Sequence, residues 1–435
     1  MPVEPSSPFR VEPAAAIRGA VALPGDKSIS HRALLVSAIA DGESELAGLN
    51  LSADTLATLE AVRALGAPAE LDAGVVRVRG AGLRGLQPPP SPIDCGNAGT
   101  LLRLLAGVLA GQEGRFELVG DASLSRRPLE RVAVPLRAMG ASVETTDGHA
   151  PLTVEGGRLE PIRHELAVAS AQVKSCVLLA GIQATGGPTT VVERLVTRDH
   201  TERLLEAAGA RVRRTPHEPA VWPAERLRPL ALAVPGDFSA AAPFIVAASV
   251  LTGSELHLHG VGTNPTRTGF LAVLERMGAR ISLFRRRTTD GEPVADLEVA
   301  PAQLVATEVR AEEVPLLVDE LPLFALVAAM ARGESAVTGA AELRFKESDR
   351  LEAVKNVLRP LGIRIETTAD GFRVRGVPRR PRGGAAVDAA GDHRVAMLAA
   401  VAGLVSREGV EIRGAEAVSV SFPDFFTVLE SLALR

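Results

Sequence analysis

The chain has no tyrosine, a single tryptophan and only 3% aromatic residues in 435. Small aliphatic side chains must therefore fill the interior, and the aromatic platforms on which single-stranded nucleic acids stack are scarce. Two cysteines, Cys95 and Cys176, have neither disulfide-framework nor zinc spacing. No charge sign is in excess: 48 Lys and Arg against 52 Asp and Glu leave a formal charge of -4, which argues against broad nucleic-acid binding. No uninterrupted apolar run of about 18 residues suggests a membrane span. The opening Met-Pro-Val-Glu-Pro-Ser-Ser-Pro does not read as a signal peptide. The expectation is a soluble cytoplasmic protein that binds neither nucleic acid nor membrane.

What is present is repetition. Six modules of about 70 residues follow one another, a period that dictates architecture. They open at Asp26, Asn97, Ser170, Asp237, Asp319 and Asp392. Each begins with a small polar or charged turn and an unusually apolar helix, such as Leu101-Leu-Arg-Leu-Leu-Ala-Gly-Val-Leu109 or Pro322-Leu-Phe-Ala-Leu-Val-Ala-Ala329. A helix apolar on nearly every face is buried. Short strands that follow, such as Arg115-Phe-Glu-Leu-Val119, alternate and so keep one wet face. Second helices close on Gly66-Ala67, Gly140-Ala141, Gly209-Ala210, Gly278-Ala279 and Gly362.

These patterns predict an inside-out α/β fold with helices in the core and sheets on the surface. A chain of this length exceeds one ordinary core, and six modules divide into three and three. Val234-Pro235-Gly236-Asp237 echoes Leu23-Pro24-Gly25-Asp26. One domain is expected over residues 24–234 and the other over 1–23 with 235–435. The N-terminal residues, Val11 to Ala22 among them, are available as the closing strand that the sixth module lacks. Two backbone crossings near 24 and 235 make a hinge, and the cleft between domains is the default ligand site.

Cations recur at the helix starts: Lys27, Arg32, Arg103, Arg127, Arg198, Lys346, Arg350 and Arg394. Helix N-termini with cationic side chains form anion sites. Gly25-Asp26-Lys27-Ser28-Ile29-Ser30-His31-Arg32 can hold a phosphate or carboxylate, or be a solvated, capped helix start. Asp94-Cys95-Gly96-Asn97-Ala98-Gly99-Thr100 lets backbone N–H groups approach an anion closely, or is a tight turn. Arg103 lies in an apolar helix and needs a partner. Ser170-Ala171-Gln172 opens the third buried helix, where Ser170 can be a plain N-cap. Arg126 and His200 read as surface charge. Asp319 reads as an N-cap, and Glu347 and Asp349 as helix-dipole partners in the dense cluster Lys346-Glu347-Ser348-Asp349-Arg350.

Taken in order, from Gly25-Asp26-Lys27-Ser28 through Arg344-Phe-Lys346-Glu347-Ser-Asp-Arg350 and Asp392-His393-Arg394 to Ser421-Phe-Pro-Asp424, these motifs closely resemble the 5-enolpyruvylshikimate-3-phosphate synthase family over essentially the whole chain. The resemblance implies two inside-out α/β domains of three modules each. It implies transfer of the enolpyruvyl group of phosphoenolpyruvate to the 5-hydroxyl of shikimate 3-phosphate with release of phosphate, in aromatic amino-acid biosynthesis, with neither cofactor nor metal, by a monomer. Shikimate 3-phosphate is expected at Lys27, Ser28, Arg32, Ser170, Gln172, Arg198, Asp319 and Lys346. Phosphoenolpyruvate is expected at Lys27, the Asn97–Gly99 turn, Arg127, Gln172, Arg350 and Arg394. The resemblance casts Asp319, Glu347 and Lys27 as catalytic, with Arg103 and Ala171 also in the site. Some relatives carry Lys at the position of Val420 and Ser at that of Ala171, so this chain departs from them by one cation and one hydroxyl. Gly99 bears on glyphosate, an inhibitor of the family's phosphoenolpyruvate site.

The nearest rival, the UDP-N-acetylglucosamine enolpyruvyl transferases, usually have a cysteine in the loop near Asp121-Ala122-Ser123-Leu124-Ser125, where this chain has none. Cys95 and Cys176 are expected to pack as small apolar residues. A non-enzymatic scaffold or nucleic-acid module is opposed by the negative charge and the scarcity of aromatics.

Overall fold

The first helix of every module is buried because its sequence offers no polar face to solvent. The computed structural model describes residues 8–435. In the first three modules the helix pairs are α1 (Lys27–Ala38) and α2 (Ala53–Ala64), α3 (Gly99–Leu109) and α4 (Glu130–Ala138), and α5 (Ala171–Gly181) and α6 (His200–Ala207). In the last three they are α7 (Phe238–Val250) and α8 (Gly269–Arg276), then α10 (Leu321–Met330) and α11 (Arg350–Leu358), preceded by the one-turn helix α9 (Val314–Leu317), and finally α12 (His393–Val405) and α13 (Phe425–Leu432). All ten residues of α10 are buried, and twelve of the thirteen in α7 and in α12.

The chain forms two units. One comprises Pro24–Pro235 together with Thr288–Glu292. The other comprises the N-terminal residues to Leu23, Gly236–Arg287 and Pro293–Arg435. In the first unit α1, α3 and α5 form the core, and α3 packs closely on α5. Gly107 permits that approach, since a Cβ there would lie 2.2 Å from the Cys176 carbonyl oxygen. Both cysteines are fully buried, and burial pushes their thiols well above the usual range. In the second unit α7, α10 and α12 play the same part.

Among the described residues, six sheets accompany the six modules. The strand after each buried helix pairs in parallel with a strand preceding that helix in its module, or with one borrowed from a distant part of the chain. Gly114–Val119 pairs in parallel with Ile93–Asp94 and antiparallel with His149–Gly156. The first module borrows Ala231–Ala233 as the parallel partner of Glu43–Ala47, and the fourth borrows Ala16–Ala22 as that of Glu255–Gly262. The sixth is completed by Phe9–Val11, antiparallel to Val410–Arg413 in the register Phe9↔Ile412. Alternation is visible in burial: Glu43–Ala47 runs exposed, buried, exposed, buried. Among the described residues no helix is long and apolar enough to cross a membrane.

Two of the expected module openings are displaced. Asp26, Ser170, Asp237 and Asp392 are N-caps whose side chains accept backbone N–H bonds. Asn97 and Asp319 are not N-caps: α3 is capped at Ala98 and α10 at Glu320, with no side-chain cap bond in either case. α9 ends at Leu317 and α10 begins only at Leu321, with Pro322 in its first turn, so Asp319 falls in the joint between them.

The glycines closing the second helices, Gly66, Gly140, Gly209, Gly278 and Gly362, all have φ between +84° and +105°. This is the left-handed conformation a helix C-terminus needs, and side chains with a Cβ resist it. Gly66 has φ +89°, and a Cβ there would meet nothing within 4 Å, so only the backbone conformation resists a substitution. Gly66→Ala should lower stability by about 1 kcal/mol. Gly157, equally open but without a positive φ, should accept alanine with stability unchanged or raised by up to about 1 kcal/mol. Urea-denaturation midpoints compare the two; equal losses would contradict the capping role.

Candidate active site

The polar ends of the buried helices carry the functional side chains, and each unit gathers its own set. In the first unit α1 begins with Asp26 accepting the Ile29 N–H at 2.9 Å. Lys27 follows, its Nζ 2.7 Å from Asp54 Oδ2 on α2. One turn further, buried Arg32 donates from Nε to Thr201 Oγ1 (2.8 Å), from Nη1 to the Ser28 carbonyl (2.9 Å) and from Nη2 to Ser175 Oγ (2.9 Å). It thereby ties α1 to α5 and α6. Burial pushes its pKa down to about 10; Glu202 opposes this and the charge of Arg198 adds to it. Two cations near each other and partly desolvated form a strong anion attractor.

The start of α3 is built around Gly99. Asn97 donates to Asp121 Oδ2 (2.7 Å) and accepts from Arg127 Nη2 at Oδ1 (2.6 Å), while Ser123 Oγ accepts from the same Arg127 nitrogen at 3.3 Å. The Asp121–Ser125 loop thus holds an arginine. Arg103 Nη1 donates to Gln172 Oε1 (2.7 Å), and Gln172 Nε2 donates to Thr100 Oγ1 (2.9 Å), so the Gln172 amide is oriented from both ends. Gln172 sits in the first turn of α5, between Ser170, its N-cap, and the apolar body of the helix; Ala171 is partly buried beside it.

In the second unit one guanidinium organises the set. Arg350, the first residue of α11 and 2% exposed, donates from Nε to Asp392 Oδ2 (2.8 Å), from Nη1 to Asp319 Oδ1 (3.2 Å) and from Nη2 to Glu347 Oε2 (2.5 Å). Burial alone would favour its neutral form, but Asp392, Glu347 and Asp319 more than reverse this and raise its pKa. Asp392 also accepts from Ser348 Oγ (3.0 Å) and from the Arg394 N–H (2.9 Å). Lys346 is only partly buried, yet desolvation lowers its pKa; Asp319 opposes that shift and Arg350 reinforces it. Among the described residues no side-chain hydrogen bond or ion pair engages Arg394, whose Nε is buried without a partner. A buried guanidinium nitrogen left in this way suits an arriving anion.

The structure places Lys27, Ser28, Arg32, Asn97, Gly99, Arg103, Arg127, Ser170, Ala171, Gln172 and Arg198 in the first unit, and Asp319, Lys346, Glu347, Arg350 and Arg394 in the second. His200 does not follow the surface-charge reading. It is 1% exposed, with Nδ1 2.7 Å from buried Glu292 Oε1. Asp349 does follow the plain reading, capping α11 by accepting the Glu352 N–H. Val420 ends a 3-10 turn and is partly buried. Asp54, Ser175, Thr201 and Lys174 join these contacts although no motif in the sequence singles them out. An ionisable residue inside an apolar helix, as Lys174 is in α5, was the available signal.

The fold is that of the enolpyruvyl transferases: an enolpyruvyl transferase from Streptomyces tendae superposes with TM-score 0.79 at 21% identity over 98% of each chain. A family model described as EPSP synthase (3-phosphoshikimate 1-carboxyvinyltransferase) matches residues 11–429. The 3-phosphoshikimate 1-carboxyvinyltransferase of Lactiplantibacillus plantarum is 46% identical over 97% of this chain and 98% of its own, and that of Acidithiobacillus ferrooxidans 48% identical over 98% of each. An EPSP synthase structure from Acinetobacter baumannii has TM-score 0.87 and 40% identity over 99% of each chain. The chain belongs to the EPSP synthase family. Its reaction is the transfer of the enolpyruvyl group of phosphoenolpyruvate to shikimate 3-phosphate in aromatic biosynthesis.

One histidine beside this site has a measurable consequence. His31 is fully buried, with Nδ1 2.6 Å from Thr58 Oγ1 and, among the described residues, Nε2 without a partner. Thr58 lies 3.4 Å from the Asp54 carbonyl oxygen, so its hydroxyl donates there and accepts from the ring. Burial, then the charges of Lys27 and Arg32, hold the His31 pKa well below the usual histidine range. Above about pH 6.5 the ring is neutral in both folded and unfolded chains. Below that, the unfolded chain takes a proton the native ring refuses, so stability falls with pH until the folded pKa is reached. His31→Asn, which keeps a polar atom near Nδ1, should lose about 1 kcal/mol less stability than the parent between about pH 7.5 and about pH 5.5. Identical pH dependence in urea titrations would contradict the assignment.

Proposed function

We propose that the transfer runs through two carboxylates tethered to one arginine. Asp319 takes the proton of the 5-hydroxyl of shikimate 3-phosphate as that oxygen bonds to C2 of phosphoenolpyruvate. Glu347 gives a proton to C3, turning the methylene into a methyl. The resulting tetrahedral adduct then collapses: the C2–O bond to phosphate breaks, the electron pair leaves on phosphate, and Glu347 removes a methyl proton to restore the double bond. Lys27 stabilises or protonates the departing phosphate. The hydroxyl proton held on Asp319 passes to phosphate or solvent or, where Lys27 has protonated the phosphate, replaces the proton Lys27 gave, so the enzyme ends as it began.

The observation that supports this reading is Arg350 donating to both Asp319 and Glu347, at 3.2 and 2.5 Å. A phosphoenolpyruvate carboxylate arriving at Arg350 adds negative charge beside Glu347 and favours its protonated form, which the first step needs. Arg394, whose Nε has no partner among the described residues, and Arg127 supply further donors to phosphoenolpyruvate, along with the Gly99 turn. Lys27, Ser28, Arg32, Ser170, Gln172, Arg198 and Lys346 are assigned to shikimate 3-phosphate. Arginine's planar fork suits the two phosphates and two carboxylates that the substrates bring.

Phosphate release from phosphoenolpyruvate tests the acceptor. It should occur with shikimate 3-phosphate and not with UDP-N-acetylglucosamine; the opposite pattern overturns the acceptor assignment. Asp319→Ala and Glu347→Ala should each lower kcat at least about a hundredfold, as loss of a positioned acid or base does, and near-parental turnover in either removes that residue's role. Glyphosate is proposed to occupy the phosphoenolpyruvate site. A Cβ at Gly99 would meet Arg103 Nη1 at 2.9 Å and Arg127 Nη1 at 3.0 Å, so Gly99→Ala must displace the tips of both arginines by a few tenths of an ångström. It should weaken glyphosate more than phosphoenolpyruvate; equal weakening in paired inhibition and KM measurements would refute the difference.

A further inference from the structure

Beneath the shikimate 3-phosphate residues of the first unit lies a buried charge cluster that the reaction does not use. Lys174, in the second turn of α5, is 1% exposed, and its Nζ lies 3.1 Å from Glu193 Oε1 and 2.9 Å from Glu202 Oε1. The same nitrogen donates to the Thr197 carbonyl at 3.1 Å. Glu193 returns the grip, its Oε2 accepting from the Thr197 N–H (3.1 Å) and Thr197 Oγ1 (2.7 Å). Thr197, the residue before Arg198, is therefore held at its N–H, its hydroxyl and its carbonyl. Glu202, on α6, follows Thr201, which accepts from Arg32 Nε and donates to Ser175 Oγ at 2.7 Å. Ser175, next to Lys174 on α5, accepts from Arg32 Nη2.

A buried lysine with two buried carboxylates is an expensive arrangement for stability alone, since apolar residues of similar volume often serve as well. Here the cluster has a geometric output. It holds the turn leading to Arg198 directly, and Lys174 and Glu202 are the chain neighbours of Ser175 and Thr201, whose hydroxyls receive Arg32. The excess carboxylate is not idle either: Glu202 opposes the burial that depresses the Arg32 pKa. Burial alone would drive the Lys174 pKa down, but Glu202 and Glu193 hold it above the usual lysine value, so the clamp stays charged.

We propose that Lys174, acting through Glu193, Thr197 and Glu202, is a positioning residue for shikimate 3-phosphate that fixes Arg198 and Arg32 in their binding geometry. The proposal rests on the assignment of Arg198 and Arg32 to that substrate. Lys174 itself touches no substrate atom; it sets where two ligands of the substrate stand.

The test is a set of steady-state measurements on the full chain with both substrates varied. Lys174→Met removes the ammonium at similar volume. Thr197→Val removes only the hydroxyl bond to Glu193 and answers the question should Lys174→Met fail to fold. Both should raise KM for shikimate 3-phosphate about tenfold, the scale on which small misplacements of binding groups act. KM for phosphoenolpyruvate and kcat should stay within about twofold, the mark of lost uniform binding. Thr197→Ser, which keeps the hydroxyl, should restore the parental KM. Arg198→Ala is the control on the underlying assignment. If it raises KM for shikimate 3-phosphate while Thr197→Val does not, the clamp proposal fails and the ligand assignment stands. If Arg198→Ala leaves that KM unchanged, the assignment itself fails. A parallel rise in both KM values with loss of kcat in Thr197→Val would overturn positioning in favour of general structural damage.

Discussion

A helix enclosed by apolar neighbours on every side can express polarity only at its ends. Six such helices contribute to the two cores, and the charged groups assigned to the site gather near their starts. The backbone N–H groups of a first turn point outward with a partial positive charge and must be satisfied. At α1, α5, α7 and α12 an Asp or Ser side chain does this. At α3 and α10, the middle helix of each triad, no capping side chain does. The Gly99 turn and the Asp319 joint stand at these two starts. The places where the fold leaves a helix start uncapped by its own side chains are also places to which site residues were assigned.

The two units use arginine differently. Among the described residues, Arg32 hydrogen-bonds only neutral oxygens, from Thr201, Ser28 and Ser175. Such partners fix the guanidinium while leaving its charge for an incoming anion. Arg350 is bonded to three carboxylates. It offers less free charge, but it holds three acidic groups together. The first arrangement suits the binding of the phosphate and carboxylate proposed for the first unit, and the second suits the proton transfers proposed for Asp319 and Glu347.

What could be read from the sequence was what repeats within a short span. The fully apolar helices, the alternating strands and the glycines at 66, 140, 209, 278 and 362 each follow from neighbours a few residues apart, and together they gave the inside-out plan. The cations at the helix starts were legible for the same reason. Their partners were not. Arg32 meets Ser175 and Thr201 across 143 and 169 residues, and Arg350 meets Asp392 across 42. His200 reads as surface charge because nothing near it in sequence buries it; Glu292, 92 residues away, is its partner. Asp319 reads as an N-cap because Pro322 and an apolar run follow it. The cap falls on Glu320 because α9 precedes α10 so closely. Lys174 stands out as an ionisable residue in an apolar helix, but its partners Glu193 and Glu202 lie outside that helix.

The strand pairings of the N-terminal residues carry a consequence for synthesis. Phe9–Val11 leaves the ribosome long before its partner Val410–Arg413. Ala16–Ala22 finds Glu255–Gly262 only after the whole of Pro24–Pro235 has been made. Loop-closure entropy grows only slowly with length, so the finished protein is little weakened by these distant pairings. The nascent chain, however, carries Ala16–Ala22 unpaired until Glu255–Gly262 has been made, and Phe9–Val11 unpaired until Val410–Arg413 has. Such edges invite pairing with other chains. The unit that uses Phe9–Val11 and Ala16–Ala22 must therefore wait for distant stretches of chain, whereas the sheets of the other draw their strands from within residues 24–235.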